Sequence, residues 1–216
     1  LLAIFDLDNT LLNGDSDHAW GEFLCENNLV DVNWYRSQND AFYQDYCAGT
    51  LDITKYQNFC QAFLAQKSLN ELHKLQQQFV EQKAQKMLLP KANDLLNQHK
   101  NKNHRLLIIT ATNEFIATPI AKLLGVDDVI ASKCGMKNGT YTGKLVGVPS
   151  FAAGKITRLN EFIDLTGESL AGAYFYSDSH NDLPLLKLVD NPCAVNPDAK
   201  LLAVARQNNW QIIDLR

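Results

Sequence analysis

No stretch of this chain approaches the roughly 18 consecutive apolar residues that a membrane span needs. The opening run, "LLAIF", is too short for a signal-peptide core. Nor is there a basic stripe. The 20 Lys and Arg stand against 24 Asp and Glu, mixed along the chain, for a formal charge of −4. That balance argues against nucleic acid as a partner and against a polybasic membrane patch. Cysteine is sparse: Cys25, Cys47, Cys60, Cys134 and Cys193 are scattered, odd in number and free of any Cys-x-x-Cys spacing. Neither a disulfide framework nor a zinc site is expected, and reduced thiols fit a cytoplasmic protein. Internal repeats and low-complexity linkers are absent, and nothing bears on oligomeric state. The first residue is Leu1 rather than Met, so a few residues are expected to precede it in the natural protein.

What is present divides into three patterns. With 216 residues, 46% of them hydrophobic, the chain can bury a core as one domain or as a domain carrying a large insertion. "LLAIF" reads as a strand buried on both faces that stops at Asp6. From about residue 16 to 88 the period is helical. Ser16 or Asp17 is placed to cap a helix carrying Trp20, Phe23 and Leu24, and Asn33 one carrying Tyr35, Phe42 and Tyr46. Asp52 opens a third helix, and Ser68 with Glu71 forms a capping box ahead of Leu72, Leu75 and Phe79. After Pro90, strands and helices alternate: "RLLIIT", "DVIAS", "AYFYSD", "CAVN" and "WQIIDL" as strands, an Asn138-Gly139 hairpin, and helices between them. The expected fold is α/β: a Rossmann-like parallel sheet flanked by helices, with an all-helical insertion after the first strand and a small β-hairpin.

In such a sheet, ligands bind beyond the carboxyl ends of the strands. The residues there are Asp6 and Asp8, then Thr110, Thr112 and Asn113, then Ser177, Asp178, Asn181 and Asp182, with Lys155 at a helix start. At an effective dielectric near 20, like charges ~4 Å apart repel by about 4 kcal/mol. So many acids facing one lysine call for a divalent cation or for protonation. Oxygen ligands without His or Cys suit Mg²⁺. Thr110 and Lys155 then form an anion clamp, most simply for phosphate. In that frame Asp6 is placed to attack phosphorus, and Asp8 to protonate the leaving oxygen and later take a proton from water. Taken singly, "DLDNT" could be only a turn, "SDSHND" only a capped loop and Lys155 a surface lysine. Their order, each at a strand end or helix start, makes a site. Of the five histidines only His180 falls within these loops.

Together, "DLDNT", "IITAT", the lysine of "AGKITRL" and "YSDSHNDLPLL" resemble the four motifs of the haloacid dehalogenase-like hydrolases. The resemblance spans essentially the whole chain. The helical stretch is similar to the cap of the phosphoserine-phosphatase-like subgroup, subfamily IB, and "PCAVNPDAKLLAVARQNNWQII" to that subgroup's ending. It implies a core of residues 1–14 and 88–216 and a helical cap of residues 15–87. It further implies Asp6 as nucleophile and Asp8 as acid and base. Mg²⁺ would be held by the Asp6 carboxylate, the Asp8 backbone carbonyl and the Asp178 side chain. Asn181 and Asp182 would support the metal waters or Lys155, and Thr110, Ala111 and Lys155 would hold the phosphoryl oxygens. Two departures stand out: Ser177 where the fourth motif often has glycine, and Ala111 where serine is common. An acid at Asp8 is absent from members that cleave carbon–halogen bonds, so phosphoester hydrolysis is implied.

The substrate is expected to be a small phosphorylated metabolite, with Asp15 and Asn113 as candidate contacts. Asp15 falls where phosphoserine phosphatases carry the acid that meets the substrate amine, although it could equally serve as a helix cap. The helical stretch contains a single arginine, Arg36, in a different context from that subgroup's carboxylate reader. A phosphorylated amino alcohol such as histidinol phosphate would need no such arginine; phosphoserine is the alternative. From another class, a non-hydrolytic phospho-acceptor domain shares the Asp, Thr and Lys, but has no use for a helical lid of ~70 residues.

Overall fold

The computed structural model describes residues 1–216. β1 (Leu2–Phe5) is wholly buried: Leu2 and Ile4 face one apolar cluster and Ala3 and Phe5 the other, which is why the run does not alternate with polar residues. Helices follow: α1 (Ser16–Glu26), α2 (Val32–Ala48), α3 (Ile53–Ala62), a 3₁₀ turn at Phe63–Gln66, and α4 (Leu69–Phe79). A single π turn at Val80–Ala84 joins α4 to α5 (Gln85–Met87). The chain then forms α6 (Ala92–Asn101), β2 (Arg105–Asn113), α7 (Glu114–Leu123), β3 (Asp128–Lys137), β4 (Thr140–Val146) and α8 (Ala153–Thr166). It ends with β5 (Tyr174–Ser177), a 3₁₀ turn at His180–Asp182, α9 (Leu183–Leu186), β6 (Asn191–Val195), α10 (Ala199–Gln207) and β7 (Gln211–Ile213). No helix is long and apolar enough to cross a membrane.

The seven strands run in the order β4-β3-β2-β1-β5-β6-β7, parallel except for β4. The connections diverge on either side of β1, which lies between β2 and β5, so a crevice opens at the carboxyl end of β1. The helical segment enters and leaves the sheet side by side: Leu12 bridges Leu88, and Leu89 N–H donates to the Leu11 carbonyl at 3.0 Å. Its aromatic residues pack as a seam, with Trp20 edge-on to Phe79 and to Phe115 of α7.

Local details differ from the sequence reading at four points. Asp15, not Ser16 or Asp17, caps α1 by accepting from the His18 N–H, and Asp31, not Asn33, caps α2 through the Trp34 N–H. Helix α6 was not expected: only Ala92, Leu95, Leu96 and His99 are buried, and no side chain caps its start, so its apolar signal is faint. The hairpin is no separate appendage, since β3 continues out of the parallel ladder to pair with β4. The segment begun at "DVIAS" therefore runs to Lys137.

Candidate active site

Asp6 follows β1 directly, and its N–H donates to the Tyr176 carbonyl of β5 at 2.9 Å, extending the ladder by one bond. Its carboxylate is turned inward. Oδ1 accepts from Lys155 Nζ at 2.7 Å and Oδ2 from the Thr10 hydroxyl at 3.2 Å. The same ammonium donates to Asp182 Oδ2 at 2.7 Å, where the Ser177 hydroxyl also donates at 2.7 Å. Lys155 is only 3% exposed and is held at the start of α8 by a close backbone approach. A Cβ on the preceding Gly154 would lie 2.2 Å from the Pro149 carbonyl oxygen, so only glycine fits there.

Thr10 ties Asp6 to the fourth motif. Its hydroxyl lies 3.2 Å from Asp178 Oδ1 and accepts from the Asp178 N–H at 3.0 Å. Thr10 belongs to "DLDNT", where a hydroxyl four residues beyond the first Asp is its only signal in the sequence. Asp178 also faces the adjoining hollow, beside Asn9 and Ser179.

Asp8 points the other way. Its Oδ1 accepts from the Ser16 N–H at 2.6 Å, and its Oδ2 from the hydroxyls of Thr112 at 2.6 Å and Thr110 at 3.3 Å. Those threonines reach the site because the β2–β3 ladder is interrupted. Ile109 pairs with Ile130 and Asn113 with Ser132, so Thr110, Ala111 and Thr112 together oppose Ala131 and bulge out of register.

Burial and mutual repulsion set the electrostatics. Burial pushes Asp6 up to about 7, with Lys155 opposing and Asp182 and Asp8 adding to the rise. Burial and the Asp15 charge bring Asp8 up to about 6 against the donors from Ser16 and Thr112. Asp178 is held well above the usual carboxylate range by burial and by Asp6 and Asp182. For Lys155 burial acts downward, but Asp182 and Asp6 outweigh it and keep the amine charged.

Asp6, Asp8, Thr110, Ala111, Lys155, Asn181 and Asp182 line one narrow cavity, together with Asp15 and Asp17. Its remaining wall is Tyr46, Leu51, Ile53, Tyr56, Thr112 and Phe151, largely contributed by the helical segment. The free space is about 30 Å³, room for roughly one or two waters. Asn113 stands behind this wall rather than in it: Oδ1 caps α7 through the Ile116 N–H, and Nδ2 donates to Asp17 Oδ1 at 2.7 Å. Asp15 both caps α1 and faces the cavity, where burial raises its carboxyl. Asp17, 2% exposed, was not foreseen; burial first and Asp15 second hold it well above the usual range. Arg36 lies outside, paired with Glu22 on the surface at 3.1 Å. His180 is engaged by Asp198, Nδ1 to Oδ2 at 2.7 Å.

No three His, Cys, Asp or Glu side chains gather as a metal cage. The ligand set is instead two carboxylates, Asp6 and Asp178, converging on the Thr10 hydroxyl. Both carboxylates are hard oxygen ligands whose protonation is favoured when no cation is beside them. That chemistry fits a Mg²⁺ ion completed by a backbone carbonyl and waters.

The profile of the haloacid dehalogenase-like hydrolases matches residues 3–187, and the chain belongs to that family. Its relatives place it more narrowly, among the family's phosphatases. It is 43% identical, over 100% of its own length and 99% of the relative's, to a histidinol-phosphatase of Neisseria meningitidis serogroup C. A solved structure of a Bordetella pertussis protein of unknown function superposes with a TM-score of 0.94 at 38% identity, covering 100% of this chain and 98% of that one. A substrate-bound phosphoserine phosphatase shares the fold, with a TM-score of 0.70 at 16% identity over 100% of this chain and 92% of that chain.

Proposed function

We propose that this phosphatase hydrolyses a small phosphomonoester through an aspartyl-phosphate on Asp6, with Mg²⁺ held by the Asp6 and Asp178 carboxylates and the Asp8 carbonyl. Bound there, Mg²⁺ keeps both carboxylates ionised and draws charge from the phosphoryl oxygens. Lys155 and the Thr110–Thr112 bulge hold those oxygens. An Asp6 oxygen attacks phosphorus while the ester P–O bond breaks, and Asp8 gives its proton to the departing alkoxide. Asp8, now a carboxylate, takes a proton from water as that water attacks phosphorus, the Asp6 O–P bond breaks, and orthophosphate leaves. A group raised to about 6 by its surroundings is suited to both tasks near neutral pH.

Residues 15–87 act as a cap over a core of residues 1–14 and 88–216. Because the narrow cavity has no room for an ester, the cap swings on the paired Leu12 and Leu88 crossings to admit one, then closes to exclude water. Five free cysteines, all but Cys47 buried, suit a cytoplasmic setting.

The substrate reading rests on the charge of the cavity wall. Asp6, Asp8, Asp15, Asp17 and Asp182 face Lys155 as their one cation, and Arg36 is elsewhere. A substrate carboxylate would have no partner there, whereas an ammonium would. A phosphorylated amino alcohol such as histidinol phosphate, with Asp15 receiving the amine, is the substrate proposed. With Mg²⁺ present, kcat/KM for histidinol phosphate is expected to exceed that for phosphoserine by about 100-fold, a difference of ~2.7 kcal/mol in transition-state binding. Preference for phosphoserine would overturn the amino-alcohol reading, and a long-lived acyl-phosphate without turnover would overturn hydrolysis.

The metal reading makes a separate prediction about stability. Asp6 and Asp8, raised to about 7 and about 6, keep protons in the metal-free folded chain that the unfolded chain releases near pH 4. The stability tied to them is therefore complete below about pH 4 and is lost as pH rises through 6 to 7, on the order of 4 kcal/mol for Asp6 alone. Mg²⁺ binds the ionised forms, so it should raise Tm more at pH 8 than at pH 5. Thermal melts with and without Mg²⁺ at both pH values check this; equal shifts would contradict it.

A further inference from the structure

The Thr110–Thr112 bulge leaves the Ala111 carbonyl without a ladder partner, and two side chains take it instead. Ser132 Oγ of β3 donates at 2.7 Å, and Gln57 Nε2 of α3 donates at 3.0 Å. Gln57 is fully buried, and its amide is used on every side. Nε2 also donates to Asp17 Oδ2 at 2.9 Å, and Oε1 accepts from Gln61 Nε2 at 3.3 Å. The peptide that ends in the Ala111 carbonyl begins, at its other edge, with the Thr112 N–H. That N–H donates to Thr110 Oγ1 at 3.2 Å, and Thr110 Oγ1 donates in turn to Asp8 Oδ2 at 3.3 Å. One unbroken line of hydrogen bonds thus runs from the helical segment, through a single peptide plane, to a carboxylate at the reacting end of the cavity. A planar amide turns as a unit, so a donor fixing its oxygen also aims its N–H, and donation to the oxygen strengthens that N–H as a donor.

We propose that Gln57 is a positioning residue: by bracing the Ala111 carbonyl from the helical side, it orients the Ala111–Thr112 peptide and the Thr110 hydroxyl toward the phosphoryl group. It does so only while α3 lies over the sheet. Phosphoryl binding at the bulge is therefore coupled to closure of the helical segment. Asp17 completes the coupling, because its two oxygens accept from Gln57 of that segment and from Asn113 of the sheet. This inference rests on the phosphomonoesterase reading given above.

The test uses Gln57→Met, which keeps volume but removes both amide protons, and Ser132→Ala, which removes the second donor to the same carbonyl. Turnover of p-nitrophenyl phosphate with Mg²⁺ and inhibition by orthovanadate are measured for each variant and for the pair. Loss of one donor is worth about tenfold. Q57M is therefore expected to lower kcat and raise the vanadate Ki by about tenfold, with KM for the ester changing about threefold or less. The double variant should depart from the product of the single effects by threefold or more, since both donors act through one carbonyl. Altered Tm with kcat and Ki within twofold of the parent, and effects that multiply independently, would show a merely structural amide and overturn the proposal. If Q57M does not fold, Gln57→Leu, which also removes the donor to the Ala111 carbonyl in a smaller apolar side chain, carries the same expectation and the same overturning result. A parent chain that turns over no phosphomonoester overturns the functional reading as well; a fully active parent with indifferent variants overturns this inference alone.

Discussion

Asp6→Asn is expected to lower kcat on any phosphomonoester by at least about 10⁴-fold, a loss of ~5.5 kcal/mol of transition-state stabilisation. The amide keeps the size of the carboxylate: its oxygen can still accept from Lys155 and its NH2 can donate to the Thr10 hydroxyl, so the fold has no reason to rearrange. What disappears is the anionic oxygen able to form a bond to phosphorus. The variant should also be more stable than the parent at pH 8 without metal. Burial and the neighbouring acids raise Asp6 to about 7, so at pH 8 the parent bears a disfavoured charge that the amide never carries. Near pH 5 the parent's Asp6 is protonated and the gap should close. Steady-state kinetics and paired thermal melts check both halves. An asparagine variant that is inactive because it is unfolded, or one that turns over like the parent, would contradict the assignment.

Asp6, Thr110, Lys155 and Asp178 could be found from the sequence because each sits at a boundary that periodicity marks, whereas Thr10 sits at none. Asp6 ends an apolar run, Thr110 ends another, Asp178 a third, and Lys155 starts a helix; a parallel sheet carries all such ends to one edge. The sheet itself was legible for the same reason, since its strands are short apolar runs bounded by turn residues. Helix α6 was not, because a helix that buries only one narrow stripe leaves little apolar rhythm among Asn, Gln, His and Lys. The caps of α1 and α2 were displaced by one or two residues, a natural error where several Asp and Ser stand in a row and any of them can accept from a backbone N–H.

What the sequence could not reveal is long-range pairing. Gln57 meets Ala111 and Asp17, and Asn113 meets Asp17, across separations fixed by how the helices fold back on the sheet. A glutamine on a polar helix carries no mark of that use. The bulge is equally silent, because "TAT" reads as ordinary strand continuation until β3 fails to pair with it. Asn113 illustrates the limit in the other direction. It was a candidate substrate contact by position, yet its two polar atoms serve α7 and Asp17, leaving a structural role nearer to hand.

Replacing Lys155 has the other large consequence, and it acts through the same carboxylates. The ammonium lies 2.7 Å from both Asp6 and Asp182, and all three side chains are less than a tenth exposed. Lys155→Met would leave two buried carboxylates facing each other without their cation, a change that typically costs about 3 to 5 kcal/mol. Part of that cost is relieved by proton uptake, because losing the cation drives Asp6 still further above its ordinary range. The added stability from the bound proton is present at low pH and lost as pH rises through the new, higher value. K155M should therefore melt well below the parent at pH 8 and closer to it at pH 5. In turnover a proton on Asp6 competes with Mg²⁺ more strongly than in the parent, and the substitution also removes a holder of the phosphoryl oxygens. We expect kcat/KM to fall about 10³-fold at pH 7, with the acidic limb of the residual pH–rate profile displaced upward. Lys155→Arg would keep the charge, but its larger planar head must fit a slot shaped for a compact ammonium, so it should restore stability at pH 8 only in part. An acidic limb unmoved in K155M would mean that Lys155 does not govern the ionisation of Asp6.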